Sequence, residues 1–384
     1  MIPYSRQFLD KKDIEEVAGV LRSDWLTQGS KVQEFERALG RFVGSRFAVS
    51  FSSGTAAMHA AYFAAGVGAG DEIITSPLTF AATANAAIWQ GAKVVFADIE
   101  EKTGNLDPVE VEKKITKRTK VIVPVDYAGL PAKPDEFKEI ARRHKLILIE
   151  DAAHALGAIY KDRKVGNIAD MTMFSFHPVK TITTGEGGAI TTNRKDFYDR
   201  LIIFRNHGIT KDKGKFRHPS PGEWYYEMQE LGLNYRLTDI QAALGISQLK
   251  KTSKFVRARR RIARVYNRAL NGIPEIILPS EPKGFLSSYH LYPIRLSGRF
   301  KEERDKIFAQ LRRTGIGVQV HYIPVYWHPY YRKLGYRQGL CPQAEQFYKS
   351  VISLPIFPVL ARNKQQYVIN TLGSIVGNRL LRQR

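Results

Sequence analysis

A lysine, an aspartate and a hydroxyl-rich glycine turn stand at three separate points of the sequence, and each could act on a bound cofactor. Lys180 lies in SFHPVKTITTGEGGAI, between an apolar run and the Gly185–Gly188 cluster. An amine forms a Schiff base with a carbonyl only when unprotonated. Partial burial among neighbours such as Val179, Thr181 and Ile182 lowers a lysine pKa toward that state. Asp151 ends the apolar run LILIED. A carboxylate there is poorly solvated and calls for a cationic partner, such as a protonated pyridinium nitrogen. Ser53, Gly54 and Thr55 form a turn between a strand and a helix, where free backbone N–H groups face an anion. Ser175, five residues before Lys180, adds a hydroxyl to the same phosphate site. His154 follows Asp151 by three residues and could meet the ring or its phenolic oxygen.

Each feature has a plain alternative when read alone. Gly-Thr is a good helix start, and an aspartate can cap a following helix. His154 can be a satisfied buried histidine, and lysine is usually a surface charge. Together they supply a phosphate cradle, a ring-nitrogen partner and an amine for an aldehyde. Those are the three handles of pyridoxal 5′-phosphate, so Lys180 and Asp151 are read as the catalytic pair of an enzyme that uses it. No Gly-Lys-Ser/Thr follows SSGT, so the turn is not a Walker loop.

The elements that must position these residues alternate along the chain. FAVSF, EIIT, KVVFADI, KVIVPV and LILIED read as strands, with helices in TAAMHAAYFAAG, FAATANAAIWQ and PDEFKEIARRH between them. This pattern predicts an α/β fold with a mostly parallel sheet covered by helices, and ligands at the carboxyl ends of its strands. Before it comes an extended arm, IPYSRQ, and a helix whose apolar face holds Ile14, Val17, Ala18 and Leu21. Residues 1–250 are expected to form the arm and a large cofactor-binding domain. Residues 251–384 are expected to form a small α+β domain, with a helix in KEERDKIFAQLRR and a strand in IGVQVHYIPV.

Composition narrows the class. Of 384 residues 43% are apolar and 25% charged, an ordinary globular balance. Cys341 is the only cysteine, which excludes an internal disulfide, a cysteine-built zinc site and a self-held iron–sulfur cluster; a metal site is not expected. The N-terminus lacks a secretory apolar core and no run is long enough to span a bilayer, so a cytoplasmic protein is expected. The net charge of +22 is concentrated: residues 1–193 carry 24 basic and 24 acidic residues, whereas residues 251–384 carry 25 and 6. The run KKTSKFVRARRRIARVYNRAL could bind nucleic acid or an anionic surface. Its plainer reading is a helix with a solvated basic face and Phe255, Ile262, Val265 and Tyr266 turned inward.

Five segments in order, SSGTAA, TSPLTFAATANA, EDAAHALGA, SFHPVKTITTGEGGA and LGLNYRLTDIQAALGISQL, closely resemble the fold-type I sugar aminotransferases of the DegT/DnrJ/EryC1/StrS family. The resemblance runs from about residue 3 to about residue 375. It implies a homodimer with pyridoxal phosphate on Lys180 and active sites at the subunit interface. By the same carry-over Asp151 pairs with the pyridinium, Phe80 stacks on the ring, Ser175 and the Gly54–Thr55 turn bind phosphate, and Asn234 reaches in from the partner subunit. An aromatic over an electron-poor ring is favourable, although Phe80 could also be a core residue.

IPYSRQ, SDWLTQG, PVDYAG, GEWYYEMQELGLNYR and QVHYIPVYWHPYY are further similar to the pseudaminic-acid branch, in which Asp126 replaces the histidine of many relatives. Members of that branch aminate C4 of a UDP-linked 4-keto-6-deoxy-2-acetamido sugar with L-glutamate as donor. The resemblance places the nucleotide sugar on Tyr4, on the turn Asp24, Trp25, Leu26 and Thr27, and on the strand Gln319, Val320, His321 and Tyr322. Trp327 and Trp224 are candidates for stacking on uracil or sugar. The rivals are an aminotransferase for another nucleotide keto sugar, a sugar 3-dehydratase and a nucleic-acid-binding regulator. Retention of Lys180 and the single cysteine disfavour the dehydratase. A pure binding protein has no need of Lys180, Asp151 and Ser175 together.

Overall fold

The computed structural model describes residues 1–376. Seven short strands form the central sheet: β1 (Phe47–Phe51), β2 (Glu72–Thr75), β3 (Lys93–Phe96), β4 (Thr119–Val123), β5 (Ile147–Asp151), β6 (Met171–Ser175) and β7 (Gly188–Thr192). Their order is β1-β7-β6-β5-β4-β2-β3. Only β7 runs against the others. Strands buried on both faces need apolar side chains at successive positions, which is why these runs do not alternate. Ile73, Val121 and Ile149 face one layer with Ala57, Ala60 and Ala61 of the helix Gly54–Ala64. Their neighbours Ile74, Ile122 and Leu148 face the other, with Phe137 and Ile140 of the helix Pro134–His144.

Helix starts are set by local chemistry. Asp10 and Asp13 form a reciprocal capping box at α1 (Lys11–Leu21). The Ser53 hydroxyl accepts from Ala56 N at the start of the helix Gly54–Ala64, 3.1 Å away. Four polar segments consequently emerge at one end of the parallel strands: Ser53 after β1, Thr79–Thr83 after β2, Asp151 closing β5, and Ser175 closing β6. Lys180 lies in the connection between β6 and β7.

Beyond the sheet, Ile262, Tyr266 and Leu270 of the helix Thr252–Leu270 pack with Tyr292, Ile294, Ile352 and Leu354 of a three-stranded antiparallel sheet. Ile2 of the N-terminal arm joins this cluster, its N–H donating to Gly315 O at 2.8 Å.

Three expectations are corrected. IGVQVHYIPV is not a strand; its pairing is confined to single bridges, Ile2 with Ile316 and Gln319 with Ser353. Beyond Gln319 side chains hold His321, Tyr127 OH donating to its carbonyl at 2.6 Å and Ser353 Oγ lying 2.8 Å from its Nδ1, and Val325 N donates to Pro77 O outside any ladder. KEERDKIFAQLRR is broken at Glu303 into Arg299–Glu302 and Arg304–Arg313. Val265 is 43% exposed, while Arg259 takes a fully buried position. The Arg259 guanidinium is tolerated there because Nη1 donates to the carbonyls of His290 and Ile356 at 3.1 and 2.8 Å.

Candidate active site

Asp151 is buried, and two donors hold its carboxylate. Thr83 Oγ1 donates to Oδ2 at 2.6 Å and Ala153 N to Oδ1 at 3.1 Å. Burial raises its pKa, opposed by these hydrogen bonds and by the charge of Lys180. Lys180 keeps partial exposure, but its amine is packed in protein. That desolvation lowers its pKa to about 8, with Asp151 pulling the other way. The two groups therefore sense each other across the carboxyl ends of β5 and β6.

Three histidines share the site with them. His154 and His290 are both buried, their rings 4.3 Å apart. Tyr322 OH lies 3.0 Å from His154 Nε2. Desolvation, then the charge of Lys180, holds His154 well below its ordinary pKa, and His321 is lowered to about 3 by the same two causes. Both imidazoles are neutral at physiological pH, and the Tyr322 phenol stays protonated because burial raises its pKa. His154 Nδ1 is buried without a partner in the protein. An orphaned polar atom beside a lysine and a carboxylate is what a site built for a polar ring presents.

The glycine turn is shaped for close approach. A Cβ on Gly54 would stand 3.0 Å from Ser175 Cβ and 3.2 Å from Ser175 Oγ, so the two residues are adjacent. A Cβ on Gly188 would come within 2.5 Å of Ser53 O. Gly188 thus serves the turn, whereas Gly185 meets nothing within 4 Å.

The structure brings together Ser53, Gly54, Thr55 and Ser175 at the turn, and Asp151, His154, Lys180, His321 and Tyr322 at the strand ends. Tyr4 adjoins this group, its ring 5.6 Å from that of His321. Gln319 is exposed, its Oε1 accepting from Val320 N, while Val320 is half-buried against the main core. Phe80 precedes the helix Ala82–Trp89 and is 65% exposed, so it is not a core aromatic. Asn234 is exposed on a segment whose next carbonyl, that of Tyr235, accepts from Ser52 N at 2.8 Å.

Other candidates lie apart from the lysine within this chain. Asp24, Trp25, Leu26 and Thr27 are exposed and hang on the start of the helix Asp239–Leu249, where Asp239 N donates to Leu26 O. Trp224 is 76% exposed. Trp327 packs on Tyr348 and donates its indole N–H to Glu345, so its polar edge is already engaged. The sequence reading did not single out Thr83 or His290. Thr83 lay in view inside TSPLTFAATANA, where a threonine in an alanine-rich helix start signals a hydroxyl with work to do. His290 had no local signal.

A mostly parallel sheet with a lysine and a hydrogen-bonded acid at its strand ends is the frame of the fold-type I pyridoxal-phosphate-dependent transferases. The chain belongs to the DegT/DnrJ/EryC1/StrS aminotransferase family, whose sequence profile matches residues 7–373. Enzymes of this family are pyridoxal-phosphate-dependent sugar aminotransferases. The chain is 41% identical over 379 residues to a UDP-4-amino-4,6-dideoxy-N-acetyl-beta-L-altrosamine transaminase of Campylobacter jejuni, covering 98% of each. It is likewise 41% identical over 378 residues to the spore coat polysaccharide biosynthesis protein SpsC of Bacillus subtilis, covering 98% of this chain and 97% of that one. Among solved structures it is similar to Helicobacter pylori PseC, an aminotransferase involved in the biosynthesis of pseudoaminic acid. That match has a TM-score of 0.91 and 36% identity, over 97% of this chain and 98% of the other. No helix among the described residues is long and apolar enough to cross a membrane.

Proposed function

We propose that this aminotransferase moves the amino group of L-glutamate to C4 of a UDP-linked 4-keto-6-deoxy-2-acetamido sugar, with Lys180 as its catalytic base. The carrying observation is the convergence of a lowered-pKa lysine, a doubly hydrogen-bonded aspartate and neutral His154 with its Tyr322 partner. The names of the Campylobacter and Helicobacter relatives support the sugar.

The residues fit the cofactor. Ser53, Gly54, Thr55 and Ser175 would hold its phosphate, Asp151 its protonated ring nitrogen and Lys180 its carbonyl carbon. His154 Nδ1 offers a polar contact at the ring, and Phe80 an aromatic face. Bound there, the cofactor supplies an electrophilic carbon and an electron sink. A lysine with a pKa of about 8 is unprotonated in a useful fraction near neutrality, so Nζ can accept a proton from one carbon and return it to another. Thr83 and Ala153 hold the Asp151 carboxylate in place, where it would keep a proton on the nitrogen opposite. The neutral histidines add no competing positive charge near Lys180.

A second copy of the chain would complete the site. Ile14 and Leu21 of α1 are 65% and 57% exposed, and Trp25, Leu26, Phe80 and Trp89 stand uncovered as well. Burying them in a homodimer explains the apolar face of α1 and gives Asn234 and the Asp24–Thr27 turn a site to enter.

The test is a panel of UDP- and TDP-linked 4-keto sugars incubated with glutamate, with the position of the new amine read by NMR. A C4 amine formed only on the UDP-2-acetamido substrate is expected. Preference for another nucleotide sugar overturns the substrate assignment, and product without any amino donor overturns transamination.

A further inference from the structure

The helix Thr252–Leu270 uses some of its cations and leaves others unused. Lys251, at its start, pairs with Asp10 and Asp13; Arg260 pairs with Glu281; Arg259 is buried against carbonyls. Lys254, Arg257, Arg261, Arg264 and Arg268 are exposed, and none makes an ion pair among the described residues. Their spacing of three and four residues places all five on one ridge, about 21 Å long at 1.5 Å per residue.

The helix Arg362–Ile375 packs alongside, with Gln365 Nε2 donating to Ile262 O at 2.8 Å. Its exposed Arg362 and Lys364, without ion pairs among the described residues, stand two positions apart and so point to opposite sides of that helix. Neither helix contains a single aspartate or glutamate. Soluble helices ordinarily intersperse both signs, so a helix face carrying five unpaired cations, on a helix without a carboxylate, is complementary to a partner of dense negative charge.

We infer that this face docks the enzyme reversibly on an anionic phospholipid surface. Two observations favour a bilayer over a nucleic acid. Val265 stands exposed beside Arg261, Arg264 and Arg268, where a headgroup interface accepts an apolar side chain and a hydrated phosphate groove does not. Phe255 and Tyr266, the aromatic residues of this helix, are buried, so it offers no stacking platform beside the arginines. The apolar side of Thr252–Leu270 is committed to the core through Phe255, Ile262 and Tyr266, so attachment is electrostatic and not insertional.

The experiment is sedimentation of the holoenzyme with vesicles of phosphatidylcholine alone or mixed with phosphatidylglycerol, and with duplex DNA as a separate arm. Binding only to the anionic vesicles, reversed by salt, is expected. The triple variant Arg257→Gln, Arg261→Gln, Arg264→Gln should weaken partition about 100-fold, at about fivefold per cation, with turnover unchanged. Neutralising the exposed Lys11, Lys12 and Lys102 should leave partition unaltered. Absence of binding to anionic vesicles, an equal loss from both triple variants, or tighter binding to duplex DNA overturns the proposal.

Discussion

Thr83 Oγ1 donates to Asp151 Oδ2 over 2.6 Å, linking the first turn of one sheet-covering helix to the end of β5. A buried carboxylate left short of a donor loses about 1–3 kcal/mol, and its charge is the quantity the ring nitrogen depends on. Thr83→Val, which keeps the shape, should therefore weaken cofactor retention at least about fivefold. Thr83→Ser should restore it. Cofactor content after dialysis, read by absorbance with circular dichroism as the fold control, checks this.

Lys180 should be the point of covalent attachment. Borohydride reduction followed by peptide mapping is expected to place the adduct at Lys180. Lys180→Ala should lose both the absorbance of the bound cofactor and turnover. An adduct elsewhere, or turnover retained, removes the lysine from its role.

The lowered pKa of Lys180 has a sign that stability can report. Its amine titrates at about 8 when folded and at 10.5 when free, so between those values the unfolded chain holds more protons and stability rises with pH. The burial cost is fully present below pH 8 and disappears above 10.5. Lys180→Met should accordingly raise the melting temperature of the cofactor-free protein near neutrality, with the gain shrinking as pH climbs through this window. A gain that does not change with pH would contradict the desolvated amine.

Two glycines of the Gly185–Gly188 cluster should behave oppositely. Gly188→Ala drives a methyl to 2.5 Å from Ser53 O, which is backbone and cannot swing aside. It should displace the Ser53–Thr55 turn and lower affinity for free phosphate and for cofactor by an order of magnitude or more. Gly185→Ala meets open space at φ +81°, so only backbone strain of about 1 kcal/mol is expected, with binding preserved. Titration calorimetry with both variants separates the cases.

Tyr322→Phe removes the partner of His154 Nε2 without opening a cavity. Loss of one neutral hydrogen bond predicts a decrease in kcat of about fivefold, with the fold retained. Unchanged kcat would leave the tyrosine a packing residue.

The sequence by itself determined β1 to β5, because short β-branched runs bounded by turns and alternating with helices favour strands buried on both faces; β6 and β7 carried no such signal. It also determined the local devices: Ser53 at its helix start, Asp151 at the end of an apolar run, and a lysine before a glycine cluster. Each is encoded within a few residues, where propensity and solvation act directly. The α/β class and the residues that mark the family were legible for that reason.

Tertiary structure alone decided which distant residues meet. Thr83 reaches Asp151 across 68 positions and Tyr322 reaches His154 across 168, and nothing local to either pair announces the contact. Likewise Arg259, not Val265, faces inward, because three carbonyls from other segments converge to accept its hydrogen bonds. IGVQVHYIPV alternates as a strand should, yet side-chain bonds to Tyr127 and Ser353 draw it away from pairing. Periodicity reports what a segment can bury; which partner it finds there depends on how separate segments pack.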